Sequence, residues 1–419
     1  MHQNIILEDN LNILLVTDPY PPEIRAISRM MQELAEFLYK KGNSIKVLTT
    51  MPQLKLIEKG TEADLPIHRV ENGVNVIRAK IPFQNRKELI FKALSQILSV
   101  PVLYKTFKLN NSEKIDIIIV YSPPLPLGII GIILKKLYDS KFLLNIQDIF
   151  PQNAIDLGII KNKYIVYFYE LLERVIYKHA DKISAHTQGC KEFLNTKKYI
   201  DAKKLITISN WIDISRNNAK NKKSSYKEIF SLSNKFVIVS AGIMGPSQNL
   251  TLIIDLAERI VDLKEICFLL LGNGYEADKI KDLVKKKNLK NVIINDFIGE
   301  NDYKLLIREA DLGIISLNPN NKTPVYPGKT LGFMAASLPI ISFLHENSDG
   351  HKLIKDSNCG YTMVPNNSEE AESLLRFIYD NRRNLKKLGN NGYNFCKLHF
   401  SKEVILLKYE NILHTLINS

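Results

Sequence analysis

Residues 11–38, LNILLVTDPYPPEIRAISRMMQELAEFL, are the stretch from which the fold can be read. Leu11 to Thr17 is a short apolar run closed by Asp18 and Pro19, which suits a buried strand. After a proline-rich turn, Ile27, Met30, Met31, Leu34 and Leu38 recur at helix spacing. The alternation then continues along the chain and implies a parallel sheet. Further strands are predicted at Ser44 to Thr50, Asn75 to Ala79, Ile115 to Tyr121, Lys141 to Ile146 and Lys182 to Ala185. From residue 215 to 233 the pattern gives way to Asn, Lys and Ser, which bury too little apolar surface to order themselves and read as a linker. Strands resume at Phe236 to Ser240, Ile266 to Leu271, Val292 to Ile294, Leu312 to Ser316 and Ile340 to Phe343. The fold expected is therefore α/β, with two Rossmann-like, doubly wound units at 1–214 and 234–395. A last helix within 396–419 is expected to return to the first unit. Ligands of open α/β sheets sit outside the carboxyl ends of the strands, so two facing units create one cleft.

A chain of 419 residues that is 45% hydrophobic can bury ample core, and its formal charge of +13 favours anionic partners such as phosphorylated substrates or anionic lipid. Cys190, Cys267, Cys359 and Cys396 lie far apart, a pattern that fits neither a disulfide framework nor a zinc knuckle. Met1 to Asn10 is polar where a secretory signal would be basic and then apolar. The most hydrophobic run, Leu125 to Leu134, falls short of the roughly 20 residues that span a bilayer. A cytoplasmic chain with no metal, no cofactor and no nucleic-acid module is expected.

Five turns could carry chemistry. The first, Thr17 to Glu23, precedes a helix that holds Ser28 and Arg29. It can present backbone amides to an anion, and it also suits a rigid turn without a ligand. The second follows the strand ending at Ile146 and places Asp148, with Gln152 just beyond, at the carboxyl end of a strand. Asp148 is the leading catalytic candidate, although an aspartate there can also cap a helix or stabilise a turn. In the second half, Gly242 to Asn249 and Gly272-Asn273-Gly274 are glycine-bearing turns before helices, both suited to a phosphate. The run at Gly272 formally satisfies a dinucleotide fingerprint, with Asp296 at a suitable distance, but it follows the second strand of its unit instead of the first. Finally, Tyr326-Pro327-Gly328-Lys329-Thr330 opens a short helix with backbone amides, an ammonium and a hydroxyl, and continues into Leu331. Between Arg86 and Lys108 a basic, partly apolar helix bearing Lys87, Lys92, Lys105 and Lys108 is able to lie on anionic lipid, or to be an ordinary helix with solvated lysines.

Taken in order, these runs resemble retaining glycosyltransferases of family 4, with the GT-B architecture. They are similar to the bacterial surface-polysaccharide subfamily that includes the N-acetylfucosamine transferases. The likeness is carried by Pro21-Pro22-Glu23, Tyr121-Ser122-Pro123-Pro124-Leu125, Asp148-Ile149-Phe150-Pro151 and Asn210-Trp211-Ile212-Asp213 in the first half. In the second half it is carried by Gly245 through Asn249, Gly272-Asn273-Gly274, Ala310-Asp311-Leu312-Gly313 and Gly328-Lys329. The resemblance implies a nucleotide-sugar donor, UDP-linked, held by Gly245, Ser247, Gln248, Asn249, Gly272, Asn273, Gly274, Gly328, Thr330 and Leu331. It implies catalytic roles for Asp148 and Lys329, and a lipid-linked saccharide acceptor near Pro22, Glu23, Ser28, Arg29 and Gln152, at the inner face of the membrane.

The chain departs from the family pattern in places. Gly332 stands where the family carries a glutamate for the donor's ribose. Met244, Pro246 and Gln248 occupy the turn where many members carry an arginine and a lysine. Arg25 replaces a common glycine, and Gln147 a frequent basic residue. These differences keep two other readings open, a catalytically silent nucleotide-sugar-binding scaffold and a nucleotide-sugar epimerase of the same fold. An NAD-dependent oxidoreductase has only the run at Gly272 in its favour.

Overall fold

The computed structural model describes residues 10–53, 57, 65–86, 88–215, 225–365 and 367–418. Residues 1–9, Lys87 and residues 216–224 of the expected linker lie outside this set. The first half runs β1 (Asn12–Val16), α1 (Ala26–Lys40), β2 (Ser44–Thr50), β3 (His68–Glu71), β4 (Val74–Ala79), α2 (Leu89–Asn110) and β5 (Ile117–Ser122). It continues with α3 (Leu127–Tyr138), β6 (Lys141–Ile146), α4 (Gln152–Asp156), α5 (Lys163–His179), β7 (Lys182–Ala185), α6 (Gln188–Lys197) and β8 (Leu205–Thr207). The second half comprises α7 (Tyr226–Ile229), β9 (Phe236–Ala241), α8 (Leu250–Arg259), β10 (Ile266–Leu271), α9 (Ala277–Lys286), β11 (Val292–Asn295), α10 (Glu300–Glu309) and β12 (Leu312–Ser316). It ends with α11 (Lys329–Ala335), β13 (Ile340–Phe343), α12 (Asp349–Ser357), β14 (Gly360–Met363), α13 (Ser368–Asp380), α14 (Leu385–His399) and α15 (Lys402–Ile417).

Eight strands form one sheet, in the order β3-β4-β2-β1-β5-β6-β7-β8, and six form the other, β11-β10-β9-β12-β13-β14. Only β3 is antiparallel to its neighbour; the other pairings are parallel. Set aside β3, and both sheets reverse direction beside their first strand, between β1 and β5 and between β9 and β12. These are the crevices where doubly wound sheets hold ligands. Strands β5, β6 and β10 are apolar without alternation, because helices cover both faces of each sheet.

Two features differ from the sequence reading. The expected linker, 215–233, contains a helical turn, α7, closed by a capping box between Ser225 and Glu228. Tyr226 and Leu232 bury in the second core, so this stretch has more apolar anchorage than its composition suggests. The strands β3, β8 and β14 lack the long apolar runs by which the others were recognised. Each lies at or near a sheet edge and is only four, three and four residues long.

The last helix, α15, crosses back to the first domain. Its Ile405, Leu406, Tyr409, Leu413 and Leu416 share one core with Leu11, Ile13 and Leu15 of the first strand region and Leu34 and Leu38 of α1. Within that core Asn145 Nδ2 donates to the Tyr409 hydroxyl at 2.5 Å, and Trp211 meets the Tyr409 ring edge-on at 5.8 Å. The Trp211 indole N–H also reaches Glu33 of α1 at 2.8 Å. The chain therefore straps its two halves together at a buried polar contact. Replacing Tyr409 with Phe keeps the ring but leaves the Asn145 amide without this partner, which costs about 1–3 kcal/mol. Urea unfolding should show a lower midpoint for Tyr409→Phe, and an unchanged midpoint would remove this contact from the account.

Candidate active site

The two sheets enclose a cleft of about 1150 Å³ lined by both domains. On the first domain's side, the turn after β1 contributes Pro22, Glu23 and Arg25, and β5 contributes Tyr121 at its carboxyl end. The turn after β6 adds Gln147 and Asp148. On the second side, the turn after β9 supplies Gly245, Ser247 and Gln248, and the start of α11 supplies Gly328, Lys329 and Leu331. Topology accounts for this meeting of distant residues, since the segments that carry them lie on the carboxyl side of the parallel strands.

The charges facing one another differ by wall. Asp148 is open to the cleft, and the surrounding protein removes enough water to raise its carboxyl above the ordinary range. On the same wall, Arg25 lies between two carboxylates, with Nε 3.1 Å from Glu23 and Nη1 3.7 Å from Asp18. Burial pushes Glu23 up to about 7 even so, with Arg25 and the Gln53 amide pulling the other way. His186, also on the cleft wall, is buried, which pushes its imidazole down to about 4; its ring packs edge-on against Tyr326 of the other domain at 5.6 Å.

Across the cleft, Lys329 donates to the side-chain carbonyl of Gln248 at 2.7 Å. Desolvation lowers its ammonium to about 8. This is a cation held where water is scarce and bonded to a neutral amide. An incoming anion would relieve it. A second cationic group stands on α10, where Lys304 pairs with Glu300 at 2.8 Å and Arg308 also lines the cleft. Arg29 bridges the domains here: its guanidinium bonds Asp213 at 3.0 Å and contacts Glu300 of the second domain.

Several residues expected at the site lie elsewhere. Ser28 is 1% exposed and is turned into the first domain, because it falls on the buried side of α1 with Met31 and Leu34. Gln152 begins α4 and donates to Asp156, one turn further on, while Asn153 and Leu157 take the places on the wall. Asn249 adopts left-handed backbone (φ 42°) to start α8, and its carbonyl accepts from Ser316. The Thr330 side chain is 1% exposed and its amide already bonds the Pro327 carbonyl, so neither group serves the cleft.

The glycine run at Gly272, Asn273 and Gly274 is absent from the cleft wall as well. Its backbone packs against the preceding turn: a Cβ at Gly272 would stand 1.9 Å from the Gly242 carbonyl oxygen, at a φ of +143°. Asn273 accepts from the Met244 amide through its carbonyl and donates to Asp296 through its side chain. The run fixes the Gly242–Gly245 turn, which does face the cleft.

Other wall residues were not singled out as site residues: Tyr303, Lys304, Arg308 and His186, together with Asn210 and Trp211. Tyr303, Lys304 and Arg308 belong to no local motif and are brought in by α10, Asn210 and Trp211 come in where the chain crosses between the domains, and His186 follows the carboxyl end of β7. At Gly332, the atom closest to where a side chain would begin is the Tyr303 hydroxyl, 3.7 Å away.

The model for "Glycosyltransferase Family 4" matches residues 27–216, and that for "Glycosyl transferases group 1" matches residues 221–395. The chain is 22% identical to the "Probable glycosyltransferase WbjE" of Pseudomonas aeruginosa, over 81% of this chain and 84% of that protein. It is likewise 22% identical to the "UDP-Gal:alpha-D-GlcNAc-diphosphoundecaprenol alpha-1,3-galactosyltransferase" of Escherichia coli, over 73% of this chain and 78% of the other. Among solved structures, sucrose-phosphate synthase of Thermosynechococcus elongatus superposes with a TM-score of 0.77 at 14% identity, covering 98% of this chain and 100% of that one.

The titration of Lys329 gives this site a testable pH dependence. A bound diphosphate favours the ammonium, so the contribution of Lys329 to its affinity should be complete below about pH 7 and be lost as the free protein gives up this proton near 8, by up to about tenfold per unit. Calorimetry with pyrophosphate in wild type and Lys329→Arg checks this. The arginine variant should lack the decline, and a decline equal in both proteins would assign it to another group.

Proposed function

Because the chain is a glycosyltransferase of the GT-B fold, we propose that it moves a sugar from a UDP-linked donor to a lipid-linked saccharide in cell-surface polysaccharide synthesis, with retained anomeric configuration. The observation that carries this reading is the desolvated Lys329 ammonium, facing a wall that presents Asp148. The names of the relatives support the substrate classes, since that of one gives a UDP-linked donor and a diphosphoundecaprenol acceptor.

As the bond between the sugar and the diphosphate breaks, negative charge gathers on the departing phosphate and positive charge on the sugar ring. Lys329 meets the first, and its stabilisation grows as the reaction proceeds because the site is already ordered and poorly hydrated. Asp148, on the opposing wall, orients a hydroxyl of the reacting sugar or balances the positive ring. Gln248, which accepts from Lys329 at 2.7 Å, keeps the ammonium aimed at the donor. Glu23, Arg25 and Tyr121 line the acceptor's side with hydrogen-bonding groups suited to a saccharide. The Tyr303 hydroxyl beside Gly332 provides a polar group for the donor's ribose, where the resembling family has a carboxylate. Contacts between the domains, including Gly189 N–H to Asp349 at 2.9 Å and Thr187 hydroxyl to the Pro324 carbonyl at 3.1 Å, hold the two walls together, and closure on the donor would keep water from it.

Two substitutions test the roles. Lys329→Ala should lower kcat by about 100-fold or more, the usual effect of removing one preorganised charge-stabilising group. Asp148→Asn should also lower kcat by about 100-fold while leaving the donor KM nearly unchanged. The assay follows label from a UDP-sugar into extractable lipid. Turnover within threefold of wild type in either variant, or label released only as free sugar, would contradict the proposal.

A further inference from the structure

Helices α2, α3 and α5 form one layer over the eight-stranded sheet, with α3 between the other two. The outward side of this layer is apolar to an extent that water does not favour. On α5, Tyr164 (72% exposed), Tyr167 (64%), Phe168, Leu171 and Val175 are all bare. Their spacing of three and four residues puts them on a single stripe, opposite the buried Tyr169, Ile176 and Tyr177. On α2, Ile90, Leu94 and Ile97 are exposed on one stripe, and the same stripe continues into Lys105 and Lys108. On α5 the stripe is bordered by exposed Lys163, Arg174 and Lys178. Aromatic and aliphatic residues framed by cations are the composition of surfaces that settle into the headgroup region of a bilayer.

We propose that this face, centred on α5, seats the protein on an anionic membrane, and that α5 supplies the part which enters the headgroup layer. The site is distinct from the catalytic cleft, whose wall includes none of these stripe residues. A second copy of the chain is a poorer occupant, since two-fold pairing would set the lysines and arginines of one face against the same cations of the other. Anionic lipid instead pairs with them, in line with a chain of net charge +13. No helix among the described residues is long and apolar enough to cross a membrane, so the contact proposed is one of lying on the surface. The purpose of the face rests on the lipid-linked acceptor proposed above, whereas its evidence is the surface itself.

Flotation with liposomes tests the face directly. Wild-type protein should float with vesicles containing roughly one-third phosphatidylglycerol and much less with pure phosphatidylcholine, and raised salt should weaken binding. Tyr164→Ser combined with Tyr167→Ser and Phe168→Ser should reduce partitioning at least about tenfold, as should Lys163→Glu with Lys178→Glu. UDP binding should be unchanged in both, whereas Val404→Ser with Leu407→Ser, on the exposed side of α15, should float as wild type. Equal flotation of the aromatic variant, or a dimer without vesicles that the same substitutions dissociate, would overturn the proposal. The vesicles contain no acceptor, so this result stands apart from the transfer assay.

Discussion

The cleft is organised around one ammonium kept short of water. Lys329 stands at the start of α11, bonded to the uncharged amide of Gln248, and burial lowers its hold on the proton to about 8. A half-buried cation that, among the described residues, is bonded to a neutral amide is costly unless something anionic completes it. The folded chain carries that cost because the cleft is where a substrate's charge is to be received. The rest of the molecule serves this place: two parallel sheets bring the carboxyl ends of their strands to one crevice, and α15 ties the second domain's chain back into the first domain's core.

The two walls divide the work by charge. The second domain offers Lys329, Lys304 and Arg308, while the first offers Asp148 and the Asp18–Arg25–Glu23 cluster, in which a guanidinium partly offsets two desolvated carboxylates. Such an arrangement suits a reaction whose charge separates along one bond, with the anion leaving toward the basic wall. The Arg29 bridge to Asp213 and Glu300, and the Asp349 carboxylate at the amino end of α6, link the walls through polar contacts. Such polar contacts part more readily than packed apolar surface would.

Much of this was legible in the sequence because parallel strands are continuous apolar runs and cleft residues follow their carboxyl ends. That rule finds Asp148 and the turn that carries Gln248, whereas Lys329 is marked by its place at the start of a short helix and Glu23 by the family resemblance. It fails where the direction of a side chain decides. Ser28 is one residue from Ile27, which lines the cleft, yet the helix turns its hydroxyl inward. Thr330 follows Lys329 and is buried for the same reason. The run at Gly272 looked like a phosphate cradle because glycine permits close backbone approach; the approach here is to the neighbouring turn. Tyr303 and Lys304 had no signal at all, because α10 reads as an ordinary amphipathic helix until its place beside the cleft is known. On α5, a stripe with so many apolar residues reads as core in a sequence, and only its exposure separates it from one.

The most direct measurement is a crystal structure of the protein soaked with UDP. The diphosphate is predicted to lie in the crevice between the domains, with a β-phosphate oxygen replacing Gln248 as the partner of Lys329 Nζ and the uridine on the second domain's side. A diphosphate bound away from Lys329, or Lys329 still bonded to Gln248 with the nucleotide elsewhere, would contradict the account.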